Sequence, residues 1–468
     1  MDLTVGKPLK KILIFLVPML IGNLVQQMYS MVDTMIVGQT LGSAALAGVG
    51  STGAISFLIL GAVSGLTHGF SVIVSQRRGA NDVEGMRRSF ATGIVLTVAI
   101  VSVLTVVAVS VTKPLLTAMN TQAEFMPYAY RYIVTIFGGM LLSALYNQFS
   151  STLRAIGDSL VPLYFLIFAS LLNAGMDSLF IIVFKMGVGG AAAATLLSNG
   201  VSAAATFLYM WIRYPELRFG LKHFKPDLKQ YGLHLKLGIP MALQLSVISI
   251  GMIFGQTALN KLDPTAIKAY VAASRIDGLA TASINSAGAA TATYVGQNYG
   301  AKRYDRIKSG VKQLTLFMVG ASVILAAIVI GMHRPLVMLF ISKKERTDEL
   351  YGYALRFLLF NSGFYILLST LCITRSGLQG MGRGTVALIS AAAEVCMRVG
   401  VAVTSMILHS YTVVCMGNCM SWLGANLILV PSFLIVLGKY ISIFGRKPNI
   451  KYVKLQNPSA IPFTSSKK

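Results

Sequence analysis

The chain has 468 residues, 55% of them hydrophobic and only 12% charged, with a mean hydropathy of +0.69. A soluble domain carries about twice that charged fraction, so the composition excludes a soluble globular protein and describes an integral membrane protein. The net charge of +24 does not signal nucleic-acid binding, because the basic residues sit in short loops between apolar spans.

With about 20 residues per crossing, hydropathy predicts an all-α protein of twelve transmembrane helices. In the first half they cover 12–38, 50–76, 89–112, 126–150, 160–184 and 189–212. In the second half they cover 236–260, 266–297, 310–332, 353–375, 384–408 and 412–438. Span one is too long for a cleavable signal peptide and is expected to remain as a helix. It carries Asp33, and a carboxylate costs several kcal/mol in hydrocarbon, about 2.5–3.5 on insertion scales. The residue is therefore expected to face a bundle interior or a watery cavity. Gln26 lies two helical turns earlier on the same stripe, and Pro18 is placed to bend the helix.

Span five holds a second intramembrane aspartate, Asp177, one turn after Asn173. Span six opens with GVGGAAAATLLSNG, whose small residues permit close helix approach and which places Thr195 and Asn199 one turn apart. Counting from the span ends at 1.5 Å per residue, Asp33, Asp177 and Thr195 all lie roughly 8–10 Å below the outer surface. Asp33, Asn173, Asp177 and Thr195 thus form a candidate oxygen cage for Na⁺, or a proton relay.

The segment 213–236 is rich in Lys and Arg and divides the chain. The predicted organisation is a six-helix lobe over 1–212, a cytoplasmic linker over 213–236, a second lobe over 237–438 and a basic, disordered tail over 439–468. Leu228, Tyr231 and Leu235 suit a helix lying on the inner membrane face. The excess of Lys and Arg in the linker, the tail and the loops around Arg77 and Lys302 places both termini in the cytoplasm of an inner-membrane protein.

In the second half, Arg275 and Asp277 enter span eight, and Asp277 is a possible second proton site. Glu394 and Arg398 in span eleven stand four apart, acid first, the order favoured for a structural helical ion pair. Cys372, Cys396, Cys415 and Cys419 read as small hydrophobes. No cofactor, transition-metal site or catalytic motif is expected, so the protein is not read as an enzyme.

The halves repeat. QRRGA (76–80) closes span two and QNYGA (297–301) closes span eight; LRAIGD (153–158) follows span four and LQGMGR (378–383) follows span ten. Pro18 has a counterpart in Pro240. A common offset of about 221 to 225 residues with six spans per half describes parallel repeats related by an axis along the membrane normal, a plan suited to alternating access.

At these residues the chain resembles the multidrug and toxic compound extrusion (MATE) family over nearly its whole length. The resemblance rests on MVDTMIVGQTLGSAALAGVG (31–50), QRRGANDVEGMRRS (76–89), LRAIGDSLVP (153–162) and QNYGAKRYDRIKSG (297–310). It is similar to the branch named for DNA-damage-inducible protein F. That resemblance implies an antiporter exporting drugs or metabolites, organic cations or amphiphiles among them, in exchange for Na⁺ or H⁺; the protein is expected to act as a monomer in a bilayer with no nucleic-acid partner. It also implies that Asp33, Asn173, Asp177 and Thr195 are the cation ligands. Relatives often carry an asparagine where this chain has Ser150; Asn147, one turn earlier, is the candidate substitute. The alternative is a lipid-linked oligosaccharide flippase of the same superfamily. Its anionic cargo calls for several intramembrane Arg or Lys, and from the spans only Arg275 and Arg398 lie well inside.

Overall fold

The computed structural model describes residues 1–119, 121–341 and 346–444; of the tail expected to be disordered over 439–468, residues 439–444 are helical and the rest lies outside the described residues. In chain order the helices are α1 (Pro8–Leu41), α2 (Ser43–Ser51), α3 (Gly53–Gly79), α4 (Val83–Ala118), α5 (Met126–Gly138), α6 (Met140–Ala155), α7 (Leu160–Asp177) and α8 (Val188–Arg213). The second half holds α9 (Leu228–Leu259), α10 (Pro264–Gly300), α11 (Tyr304–Gly331), α12 (His333–Met338), α13 (Asp348–Gly363), α14 (Tyr365–Gly380), α15 (Gly384–Leu408) and α16 (Tyr411–Phe444).

Among the described residues, nine helices are long and apolar enough to span a bilayer, and two bent pairs, α5/α6 and α13/α14, add one span each. The twelfth is α10, too polar to qualify on hydropathy but buried along most of its length against other helices. All twelve predicted spans are therefore present, and the fold is a two-lobed bundle of twelve crossings. Hydropathy missed the bends of 50° and 45° in spans four and ten. They fall at Gly138-Gly139 and Gly363-Phe364, which share the repeat offset. Two loop glycines in positive φ, Gly157 (94°) and Gly382 (81°), share it as well. The expected surface helix around Leu228 is instead the first turns of α9, capped by the Asp227 side chain on Lys229 N at 2.9 Å.

The first helix of each half does not stay with its own half. Ile12, Phe15 and Leu16, before Pro18, are buried in a core with Ile284, Tyr294 and Leu314 of the second half. Past Pro18, α1 returns to the first half: Gly22 faces Leu163 and Leu166, and Val37 packs on Ile181 and Ala191. Helix α9 mirrors this. Leu235 and Leu237 join Leu66, Phe70 and Ile73 of α3, whereas Gly251, beyond Pro240, touches Val395 and Arg398 of α15.

On the face that bears the N-terminus the halves meet backbone to backbone. A Cβ on Gly79 would fall 1.8 Å from Gln297 O, and one on Gly300 would fall 1.8 Å from Gln76 O. Glycine is what permits that approach. Gln76 Nε2 donates across to Gly380 O at 2.8 Å, and Gln297 Nε2 donates to Ala155 O at 2.9 Å.

The segment before α1 straps this closure. The terminal ammonium donates to Gly157 O at 2.9 Å, Leu3 N donates to Gln297 Oε1 at 3.1 Å, and Leu3 is fully buried. Arg303 and Arg306 hold the Thr4 and Gly6 carbonyls at 3.0 and 2.9 Å. Toward the opposite face, a cavity of about 370 Å³ lies between Gln27, Met31 and Met35 of α1 and Ser274, Arg275 and Leu279 of α10.

Candidate functional site

Helices α1 and α7 pack together, and their register brings the carboxyl groups of Asp33 and Asp177 into contact. Asn173 and Asp177 are buried. With its amide turned so that both ends find partners, Asn173 donates to Asp177 Oδ2 at 2.8 Å. Its oxygen accepts from Thr195 N at 3.1 Å and from Thr195 Oγ1 at 3.3 Å. Tyr29 O–H reaches the same Thr195 Oγ1 at 3.4 Å, so α1, α7 and α8 converge on one polar point. Asp33, Asn173, Asp177 and Thr195, expected together from depth, helical spacing and the family resemblance, are thus brought together.

Immediately past Asp177 the helix widens into a π-helical turn, Ser178–Val183, with Phe184 N bonded to Leu179 O at 2.9 Å. Such turns interrupt a regular helix where a side chain must be re-aimed. Asp33 Oδ1 and Asp177 Oδ1 are both enclosed without a hydrogen-bond donor. Two enclosed carboxylates repel each other, and hard oxygen ligands suit Na⁺ or a proton. The donor set therefore fits a small cation.

A cavity of about 300 Å³ adjoins this point and is lined by Gln26, Tyr29, Asn147, Thr195 and Asn199. Asn199 Nδ2 donates to Ser143 Oγ at 3.0 Å. A second cavity of about 260 Å³ shares Gln26, Tyr146 and Asn147 with the first and adds Ser150, His68 and Arg154. Asn147 and Ser150 thus both line the passage, one turn apart.

The second half differs. Asp277 accepts the Tyr365 O–H at 2.9 Å and stands apart from the Asp33 site. The expected Glu394–Arg398 pair does not form. Glu394 pairs with Arg375 of α14, and Arg398 turns to α16, with Nη2 on Asn418 Oδ1 at 2.9 Å and Nε on Ser421 Oγ at 3.3 Å. Each charge takes a partner on a different neighbouring helix, which spacing along one helix cannot foresee. Sequence reading also missed Arg154 and Arg375 as intramembrane charges. Both lie near span ends in sequence, yet α6 and α14 carry them into a cavity of about 400 Å³ between the halves. Tyr29 was missed too, although it stands one turn before Asp33.

Two six-helix halves around internal cavities, with a buried carboxylate pair, define a multi-pass membrane transporter. The MatE family profile matches residues 18–179 and 240–404, two stretches that begin at Pro18 and Pro240. The chain belongs to the MATE family of transporters. Among its relatives, the probable multidrug resistance protein YpnP of Bacillus subtilis is 32% identical over 65% of this chain and 68% of its own. A FAD transporter of Shewanella oneidensis is 22% identical over 72% and 75%. The fold superposes on a crystal structure of MATE in the bent conformation with a TM-score of 0.86 at 24% identity, covering 95% and 98% of the two chains.

Proposed function

We propose that this protein is a secondary active antiporter that exports small amphiphilic molecules, drugs among them, in exchange for Na⁺ or H⁺. Its coupling site is Asp33, Asn173, Asp177 and Thr195. The observation that carries the reading is the pair of carboxylates on α1 and α7, each with an enclosed and unpartnered oxygen. Binding of a cation relieves their repulsion and favours the arrangement in which α1 and α7 lie close. A ligand shifts a conformational equilibrium only through its differential affinity for the two states, and a site formed between two helices supplies that difference.

The relatives named for multidrug resistance support export of small molecules. The face bearing the N-terminus, with Arg78 paired to Glu216 at 2.9 Å and Arg303 and Arg306 on the strap, is assigned to the cytoplasm by its basic residues. The membrane is then the cell inner membrane. The family resemblance favours an organic cation or amphiphile as substrate, and the cavity lining accommodates an amphiphile.

The test does not need the substrate. In detergent-purified protein, Na⁺ in place of choline, or acidification from pH 8 to pH 5.5, should raise Tm. Asp33→Asn and Asp177→Asn should abolish the rise while the proteins still insert and fold. A full response to both Na⁺ and acid in folded Asp33→Asn would refute the coupling site.

A further inference from the structure

The inter-lobe cavity of about 400 Å³ has a charge that the coupling site does not explain. Besides serine and threonine hydroxyls, its polar lining comes from His68 of α3, Arg154 of α6, Gln244 of α9, Asn285 of α10, and Arg375 and Gln379 of α14. Among the described residues, no Asp or Glu lines it. Met19, Val72, Met241, Leu245 and Ile248 supply apolar wall.

The two guanidinium groups are unequal. Arg375 is held from behind by Glu394 and by Ser390 Oγ at 3.3 Å, yet its Nε is buried with no partner. Arg154 donates to Ser151 Oγ at 3.1 Å, and among the described residues no carboxylate lies within ion-pair distance of it. It stands where this cavity meets the next, because both are lined by Met19, Ser64, His68, Arg154 and Ala289. A guanidinium inside a membrane protein is costly without a counter-charge, and its planar fork matches carboxylate and phosphate oxygens. The site is one negative charge short.

We infer that the inter-lobe cavity binds amphipathic organic anions, whose carboxylate or phosphate group is held by Arg154, with the Arg375 guanidinium adding to the positive charge of the cavity. The apolar remainder lies along Met19, Met241 and Ile248. This names the substrate class for the exporter proposed above and rests on that reading only for the direction of transport. It replaces the cationic cargo implied by the family resemblance.

Two xanthene dyes of like size and opposite charge test it. Fluorescence anisotropy of 5-carboxyfluorescein and of rhodamine 6G is measured with purified protein in phosphatidylcholine nanodiscs, without any gradient. Carboxyfluorescein should bind more tightly. Arg154→Gln should weaken it roughly 10- to 100-fold, the loss of one or two charge-assisted hydrogen bonds, and leave rhodamine unweakened. Arg154→Lys keeps the charge without the fork and should fall between.

Tighter binding of rhodamine by the wild type, absence of carboxyfluorescein binding, or equal carboxyfluorescein affinity in folded Arg154→Gln would overturn the inference. Repeating the titration in phosphatidylglycerol discs separates two sources of the anion. Lost dye binding there identifies a lipid headgroup as the occupant, and retained binding identifies a soluble amphiphile. Failure of anion binding beside an intact Na⁺ or acid response removes the substrate class alone; the converse result removes the coupling site alone.

Discussion

At the scale of single residues, the closure of the N-terminal face depends on having no side chain at Gly79 and Gly300. Each lies where a Cβ would penetrate the partner's carbonyl, so even alanine must push the halves apart. Gly79→Ala is expected to insert and fold, since the glycine ends a helix, but to lose most transport. The native Cys372, which lines the inter-lobe cavity, reports the change. In a Cys396→Ser background its labelling from the N-terminal side should accelerate several-fold, and an unaltered rate would show that the contact is not a gate. The sequence displayed these glycines as a repeated motif but could not show that they meet. The same limit applied to charge. Asp33 and Asp177 are legible because a carboxylate inside an apolar span is costly and its depth can be counted along the helix, and Asn173 because it stands one turn from Asp177, whereas the Glu394–Arg375 pair spans two helices. Arg154 was hidden because a basic residue near a span end reads as a loop charge.

Among the elements, α1 and α9 do the joining. Each begins in the core of the opposite half and reaches its own half beyond a buried or half-buried proline, Pro18 or Pro240, with Asn23 still bonded to Ser286 and Ser246 to Leu58 O. A proline removes one i→i−4 hydrogen bond and crowds the preceding turn, so each helix is weakened between the part anchored in the opposite half and the part packed in its own. If the halves move against each other, α1 must flex there, because its two ends are anchored in different bodies. Pro18→Ala is expected to leave insertion and the Na⁺ or acid response of Tm intact while slowing transport several-fold; an unchanged rate would remove the hinge. The twelve spans were legible because apolar length suffices to mark them. The exchange of α1 and α9 was not, since hydropathy records that a residue is buried and not what buries it. The breaks at Gly138 and Gly363 were hidden for a related reason, as a bent helix and a straight one have the same apolar length.

For the molecule as a whole, the repeat was read from four short motifs and their common offset, and positive-φ glycines and bends at matching places extend it to the backbone. The halves nevertheless differ in chemistry: one has a carboxylate pair, and the other has Asp277 bonded to Tyr365 and an ion pair beside a cavity. The strap of residues 1–7 touches Gly157 of the first half and Gln297 and Arg306 of the second. Holding a chain end in place costs about 1–2 kcal/mol of backbone entropy per residue at 25 °C, offset here by the burial of Leu3 and a set of hydrogen bonds. Opening of the N-terminal face therefore releases an ordered segment, and its entropy should favour the open state as temperature rises. Labelling of Cys372 should climb more steeply with temperature in the wild type than in Leu3→Asp, whose strap is already displaced. Parallel temperature curves for the two would mean that the strap takes no part in the balance. A transporter built this way would carry its own thermal bias, set by seven residues ahead of its first span-length helix.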